Sequence, residues 1–469
     1  MEKTDQSVYF QTRTINPWVS LAVILLAPLI TVVDVFIVNI STPAIKTYFG
    51  SSDAALELVI ASYLLGYAVF LITGSRTGDY LGKKKVFILG LAAFTVTSAM
   101  CGFANSMNML IASRFLQGVA AAFTVPQTIT LIQLNFQAPE DRDKAYGLYG
   151  MALGTGATLG QFLGGYFISS HIIADSWRLI FLVNVPFGIV AILLTWFLVQ
   201  ESGQNRSTRF DVPGIILLTL TLSLLIYPII QGTELGWPLW TRLMLISAML
   251  LLATFVWYQF KREQRGRDPL VPMKLFTIRS FTTSILSVLF FFGVNTSYIF
   301  TAAIYFQNGF HISPFATGNY FVMQTIPFLL ASLWSIRYAA RYGIRLLQVA
   351  CGLMIFSFIL QIILFYGNIA TMYDILPCLI IYGVGSGILM PSLLKVAMKD
   401  MPTERAGAAS GVYSTVQQFA SALGVSMLGG IFLYLARHSG NYYVAYKIAL
   451  CCMIGYLLVV MLLLTRTKR

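Results

Sequence analysis

From Trp18 almost to the C-terminus, runs of about 20 apolar residues succeed one another with short polar breaks between them, each long enough to cross a hydrocarbon layer about 30 Å thick. Inside a bilayer no water is available to backbone N–H and C=O groups, so each run must satisfy them internally, as an α-helix does. The runs give fourteen candidate spans, beginning near Trp18, Ala54, Lys85, Met107, Ala145, Trp177, Val212, Leu239, Phe281, Phe315, Leu346, Met372, Gly407 and Tyr443. The connections between them are mostly short and leave no room for a soluble domain. Only 10% of the 469 residues are charged and 57% are hydrophobic, whereas a soluble domain is about a quarter charged. A secreted enzyme, a disordered regulator and a soluble nucleic-acid binder are excluded.

The net charge of +13 is not a nucleic-acid footprint, because no basic helix or RNA-binding signature accompanies it. Arg114 lies inside a span. Of the other lysines and arginines, all but Lys46, Arg178, Arg242, Arg437 and Lys447 fall in one alternating set of loops or at the termini. Cytoplasmic loops collect positive charge, so both termini are expected in the cytoplasm and the chain in the cell (inner) membrane. The five cysteines all sit in apolar runs, which argues against a disulfide framework. Residues 1–17 lack the pattern of a signal peptide.

An internal repeat organises the spans. Pro139-Glu140-Asp141-Arg142 ahead of the fifth span resembles Pro402-Thr403-Glu404-Arg405 ahead of the thirteenth. Gly118 and Pro126 match Gly383 and Pro391 at one common offset. The orientation is the same in both halves, as in carriers built from two parallel six-helix bundles. The expected fold is an all-α polytopic membrane protein, with an N-terminal bundle at 18–200 and a C-terminal bundle at 281–465. Two inserted helices and a cytoplasmic linker occupy 201–280, and a short cytoplasmic tail 466–469. Leu379 stands where the repeat would place a second Arg114: the scaffold is repeated and the charge is not.

A charged group inside a membrane helix costs at least about 2.5 kcal/mol and is a functional candidate by default. Asp34, the only acidic residue read as lying well inside a span, and Arg114 qualify. At 1.5 Å per residue, Asp34 sits about 24 Å above the inner face and Arg114 about 10 Å below the outer one. Their depths match to within a few ångströms, so pairing is expected, with Gln117 on the same helix face as Arg114. A static buried pair would fix helix 1 against helix 4. A carboxylate that exchanges its arginine for a proton or a cationic substrate would instead do chemistry. A small-residue stripe at Gly156, Gly160 and Gly164 suits close helix contact.

At this point the motifs resemble a known family, the fourteen-helix drug:proton antiporter branch (EmrB/QacA subfamily) of the major facilitator superfamily. The similar segments are Asp34-Val-Phe-Ile-Val-Asn39 with Pro43 in helix 1, Gly74 to Lys85 between helices 2 and 3, and Arg114-Phe-Leu-Gln117-Gly118 in helix 4. Further along they are Trp177-Arg178 with Phe181, Asn184 and Pro186, Tyr305-Phe-Gln307 with Ser313-Pro314 and Pro327, and Gly407 to Gly424. The helix 5 motif departs from the pattern: Gln161 follows Gly160 where the antiporters carry proline. The resemblance implies proton coupling through Asp34 and Arg114. Gln117, Asn39, Gln161, Tyr298 and Gln307 are the candidates for a polar substrate cavity. Gly78, Asp79, Gly82, Arg142, Gly156, Gly160 and Gly164 are the gating candidates. Gly78 and Gly82 are expected to form a tight turn, and Asp79 to pair with Arg142 or favour a helix N-terminus.

The expected activity is proton-driven export of lipophilic, in some cases cationic, small molecules by alternating access. A related carrier dedicated to one lipid precursor, siderophore or metabolite shares the same pattern. A receptor or scaffold needs no buried Asp and Arg at matching depth. Walker A, zinc and nucleophile-elbow signatures are absent, so neither an enzyme nor a cofactor or metal site is expected. Partners are the substrate, protons and the bilayer, without nucleic acid; a periplasmic adaptor and outer-membrane channel assist some relatives.

Overall fold

Helix ends in this chain are written by short polar and glycine signals between apolar runs. Ser52 and Ser106 accept from the backbone N–H groups of Ala55 and Met109, Thr371 and Asp374 form a capping box, and Gly50, Gly236 and Gly440 stop helices in the left-handed conformation, as N-caps and C-caps do. A computed structural model describes residues 16–170, 172–201, 211–366, 371–402 and 406–466, a few side chains apart.

All described regular structure is helical. The helices are α1 (Pro17–Phe49), α2 (Asp53–Leu81), α3 (Lys83–Gly102), α4 (Met107–Asn135), α5 (Pro139–Ser170) and α6 (Ser176–Leu198). Next come α7 (Val212–Leu235), α8 (Leu239–Gln264), α9 (Arg279–Gly309) and α10 (Pro314–Tyr342). The last four are α11 (Ile344–Leu364), α12 (Met372–Met398), α13 (Ala408–Ser439) and α14 (Tyr442–Arg466). Among the described residues, 12 helices are long and apolar enough to cross a membrane. The glycine-rich α5 and its partner α10 fall outside that group. They pack on each other where the two bundles meet, which relieves them of presenting an all-apolar surface to lipid.

Within the first bundle α4 lies against α2 and α3, and α1 against α5; in the second, α12 lies against α10 and α11, and α9 against α13 and α14. The bundles meet along α5–α10 and α2–α13. Near the α5 C-terminus a Cβ on Gly165 would stand 2.5 Å from the Pro314 carbonyl, and one on Gly318 would stand 2.5 Å from that of Gln161. At Gly147 and Gly150, toward the start of α5, the same space is open. The seam is tight at one end and loose at the other. The inserted pair α7 and α8 pack on one another, with α7 against α2. Their linker is ordered by buried Asp211, which accepts from Gln259 Nε2 (2.8 Å), Tyr258 OH (2.9 Å) and Leu270 N (3.1 Å). Arg76 Nη2, at the end of α2, donates to the Pro269 carbonyl (2.7 Å).

Two local expectations differ from what is found. Helix 5 starts at Pro139 rather than near Ala145, because proline suits a first turn and Glu140 and Asp141 complement the helix dipole there. Gly78 is not in the turn; it is helical, and the chain reverses at Gly82 with φ +100°, a conformation glycine adopts without penalty. Gly78 is small for another reason: a Cβ there would collide with the side chain of Gln127, whose Nε2 donates to the Gly74 carbonyl at 2.8 Å. The Asp79 side chain lies outside the described residues, and with it the expected contact to Arg142.

Candidate functional site

Four helices converge on one buried carboxylate. Asp34 and Arg114 are 0% and 1% exposed, and Arg114 Nη1 donates to Asp34 Oδ2 at 2.5 Å. Asp34 Oδ1 accepts from Gln117 Nε2 and Asn184 Nδ2, both at 2.9 Å. The same Arg114 nitrogen also reaches Gln117 Oε1 at 2.7 Å, while Nε donates to the Val59 carbonyl at 3.3 Å. The guanidinium stacks over Tyr63, 4.4 Å from the ring centroid. Asn184 is held in turn by Ser98, 3.1 Å away, whose hydroxyl donates to the Phe181 carbonyl. α1, α3, α4 and α6 thus all contribute, and α2 adds Tyr63.

The sequence makes this local geometry possible at two levels. Arg114 and Gln117, three residues apart on α4, project from one face. Asp34 is brought to them by the glycine stripe of α5. Cβ atoms on Gly156, Gly160 and Gly164 would come within 2.9, 2.6 and 2.7 Å of the carbonyls of Leu29, Val33 and Ile37. α1 therefore rests on bare α5 backbone on both sides of Asp34.

Burying two charges costs several kcal/mol per ion, and the pair persists only because each charge meets its opposite and further hydrogen bonds. Every bond to Asp34 uses it as an acceptor. Protonation would remove the Coulomb attraction and turn one oxygen into a donor facing donors.

The remaining candidates lie elsewhere. Asn39 is buried and donates to the Val35 carbonyl of its own helix. Gln161 accepts from Thr325 Oγ1 at 2.9 Å across the α5–α10 seam. Gln307 Nε2 donates to the Ile40 carbonyl at 2.9 Å, joining α9 to α1. Tyr298 is fully buried in the second bundle, where Gln361 Nε2 donates to its hydroxyl (3.1 Å) and Tyr446 OH donates to Gln361 Oε1 (2.7 Å). Tyr382 stacks on Tyr298 with ring centroids 4.1 Å apart. The offset from Gly118 to Gly383 carries Gln117 onto Tyr382, so the second bundle places an uncharged tyrosine–glutamine cluster where the first holds its ion pair.

Asn184 stands in the sequence as part of a motif with no role assigned to it, and sequence reasoning missed Ser98 and Tyr63. Nothing in polar-residue spacing marks them; only the crossing of α3, α2 and α6 with α4 does. Glu57, in the second turn of α2 and 3% exposed, is a second buried acidic residue, close to a helix end rather than well inside a span.

Two helical bundles meeting at a seam, with a buried ionisable pair in one of them, define a membrane carrier. The sequence matches the Major Facilitator Superfamily over residues 24–425, and the chain belongs to that family. It is 31% identical to a probable actinorhodin transporter of Streptomyces coelicolor over 89% of this chain and 73% of the relative. It is also 31% identical to the puromycin resistance protein pur8 of Streptomyces alboniger, over 90% and 84%. The fold is shared with a bacterial homologue of the human lysosomal transporter Spinster in an inward-facing, occupied conformation, at TM-score 0.68 and 14% identity over 96% of both chains.

Proposed function

We propose that this protein is a proton-driven exporter of lipophilic small molecules, of the fourteen-helix drug:proton antiporter branch. The observation that carries the reading is the buried cluster of Asp34, Arg114, Gln117 and Asn184, in which the donors to a titratable carboxylate come from two other helices. The names of the relatives, an actinorhodin transporter and a puromycin resistance protein, support lipophilic antibiotics and drugs as the substrate class. In this reading α5 (32 residues) and α10 (29 residues) also cross the membrane, making fourteen spans. Both termini are cytoplasmic, the chain sits in the cell (inner) membrane, and the bundles occupy 18–200 and 281–465.

Alternating access then has a simple mechanical form. With the termini inside, the tight end of the α5–α10 seam is the outer one, closed by Gly165 on Pro314 and Gln161 on Thr325, with Gln307 on Ile40 joining α9 to α1. Protonation of Asp34 frees Arg114, loosens α1 from α4, and so shifts the bundle that bears on the seam. Purified protein in proteoliposomes with an imposed pH gradient tests the whole reading. Puromycin movement should track the gradient and collapse when an ionophore dissipates it, and this arrangement also shows whether an adaptor or outer-membrane channel is needed. Transport that ignores the gradient would rule out proton coupling; transport of none of a panel of lipophilic drugs would favour a carrier dedicated to one physiological substrate.

A further inference from the structure

α13 stands where the two bundles meet, against α2 of one and α9 of the other. Two close approaches fix how it is turned. A Cβ on Gly411 would stand 3.6 Å from the Ile72 side chain of α2, and one on Gly424 would stand 2.3 Å from the Gly293 carbonyl of α9. At 3.6 residues per turn these contacts lie about 140° apart around the helix, which leaves two faces between them. One carries Val416, Phe419, Leu423 and Met427, all apolar, with Met427 38% exposed. The other carries Ser414, Gln417 and Ser421, three and four residues apart and so in line on a helix. The apolar face suits lipid, and the polar one is turned to the space between the bundles. Ser414 and Gln417 are half-buried, and neither they nor Ser421 make a hydrogen bond among the described residues. Ser426, further along α13, turns instead onto the Ala422 carbonyl of its own helix. None of the three is sealed away from solvent, so their polar atoms are open to whatever occupies that space. On α9, half-buried Asn295 accepts from Tyr382 OH at 3.0 Å and keeps its amide nitrogen unused.

Negative charge is missing from this surface. Between Arg279 and Arg466 the only acidic residues are Asp374, Asp400 and Glu404. Asp374 lies in the first turn of α12, and the other two fall between α12 and α13. In the first bundle both oxygens of Asp34 are engaged by Arg114, Gln117 and Asn184, and Glu57 lies close to a helix end. Taking the protein as the exporter proposed above, we propose that the inner face of α13, centred on Gln417, recognises the substrate, and that the substrate is an uncharged lipophilic molecule carrying carbonyl or hydroxyl groups. A carboxamide both donates and accepts, so Gln417 meets either group. A cation would face the cost of leaving water with no counter-charge on this surface. Water holds these polar groups while the space is empty, and a ligand that displaces it must offer the same hydrogen bonds or lose affinity. A lipid acyl chain offers none.

Equilibrium binding to the full chain in lipid nanodiscs, corrected for protein-free nanodiscs, tests this with two probes. Chloramphenicol is uncharged and carries an amide and hydroxyls; tetraphenylphosphonium is a permanent lipophilic cation without hydrogen-bonding groups. Chloramphenicol binding should saturate, whereas that of the cation should rise only linearly with concentration. Gln417→Leu, which keeps the size but not the amide, should raise the chloramphenicol Kd at least about fivefold, as expected for one lost hydrogen bond. Val416→Ala, on the apolar face of the same helix, should leave it unchanged. Gln417→Glu supplies the missing counter-charge and should make tetraphenylphosphonium binding saturable, a gain that a misfolded variant cannot show. Cation binding to the unaltered chain as tight as that of chloramphenicol would overturn the proposal. So would a Kd unchanged in Gln417→Leu, or saturable binding of neither probe. The exporter reading fails separately: a chain that binds chloramphenicol in this pattern but moves no drug along a pH gradient would keep the site and lose that reading.

Discussion

Replacing Asp34 by asparagine keeps the shape of the side chain and removes its charge, and the surrounding donors make that change costly. Arg114 Nη1, Gln117 Nε2 and Asn184 Nδ2 all donate to the carboxylate. An asparagine has one acceptor oxygen instead of two, and its amide nitrogen must face at least one of these donors. Flipping Gln117 to repair the clash would take its Oε1 away from Arg114, 2.7 Å distant. Removing one partner of a buried ion pair costs about 3–5 kcal/mol, and a buried donor left unmet costs about 1–3 kcal/mol. These losses overlap, so Asp34→Asn is expected to destabilise the fold by roughly 4 kcal/mol. Adding Arg114→Gln removes the orphaned cation, so the double variant should be more stable than the sum of the two single losses by at least about 1.5 kcal/mol. Equilibrium unfolding in mixed micelles measures the cycle, and proteoliposome export measured beside it should lose gradient dependence in all three variants. A single Asp34→Asn variant as stable as the wild type, or a double variant whose cost is the plain sum, would refute the claim that the two charges support each other.

Asn184→Ala deletes a bond to the charged Asp34 oxygen and should cost about 1.5–3 kcal/mol in unfolding free energy, with slower export. Ser98→Ala, one step further out, should cost about 0.5–1.5 kcal/mol. Gly160→Val places carbon within 2.6 Å of the Val33 carbonyl and should abolish folded protein on size-exclusion chromatography, whereas Gly147→Ala, with open space at its Cβ position, should leave its elution and yield unchanged. A cysteine introduced at the exposed Lys274 should resist an impermeant thiol reagent in intact cells and react in inverted vesicles; labelling from outside would overturn the fourteen-span topology.

Much of this molecule was legible in one dimension because the bilayer allows so few solutions. A run of about 20 apolar residues must be a helix there, which is why starts read from the sequence at Met107, Val212, Leu239 and Met372 recur unchanged. Helix rise alone put Asp34 and Arg114 at one depth, and helix periodicity put Gln117 beside Arg114. Which helices stand next to which is not written in any periodicity; it is set by side-chain packing between segments far apart in sequence. Tertiary structure therefore decided that Asn184 and Ser98 complete the site, that Tyr298 belongs to a neutral cluster in the other bundle, and that Gln161 bonds across a seam. It decided too that Gly78 makes room for Gln127 and leaves the turn to Gly82. The depth of each group along its own helix is a property of the sequence, because rise per residue is local. Its rotation and its partners depend on which neighbours that helix packs against, and only the assembled bundles supply them.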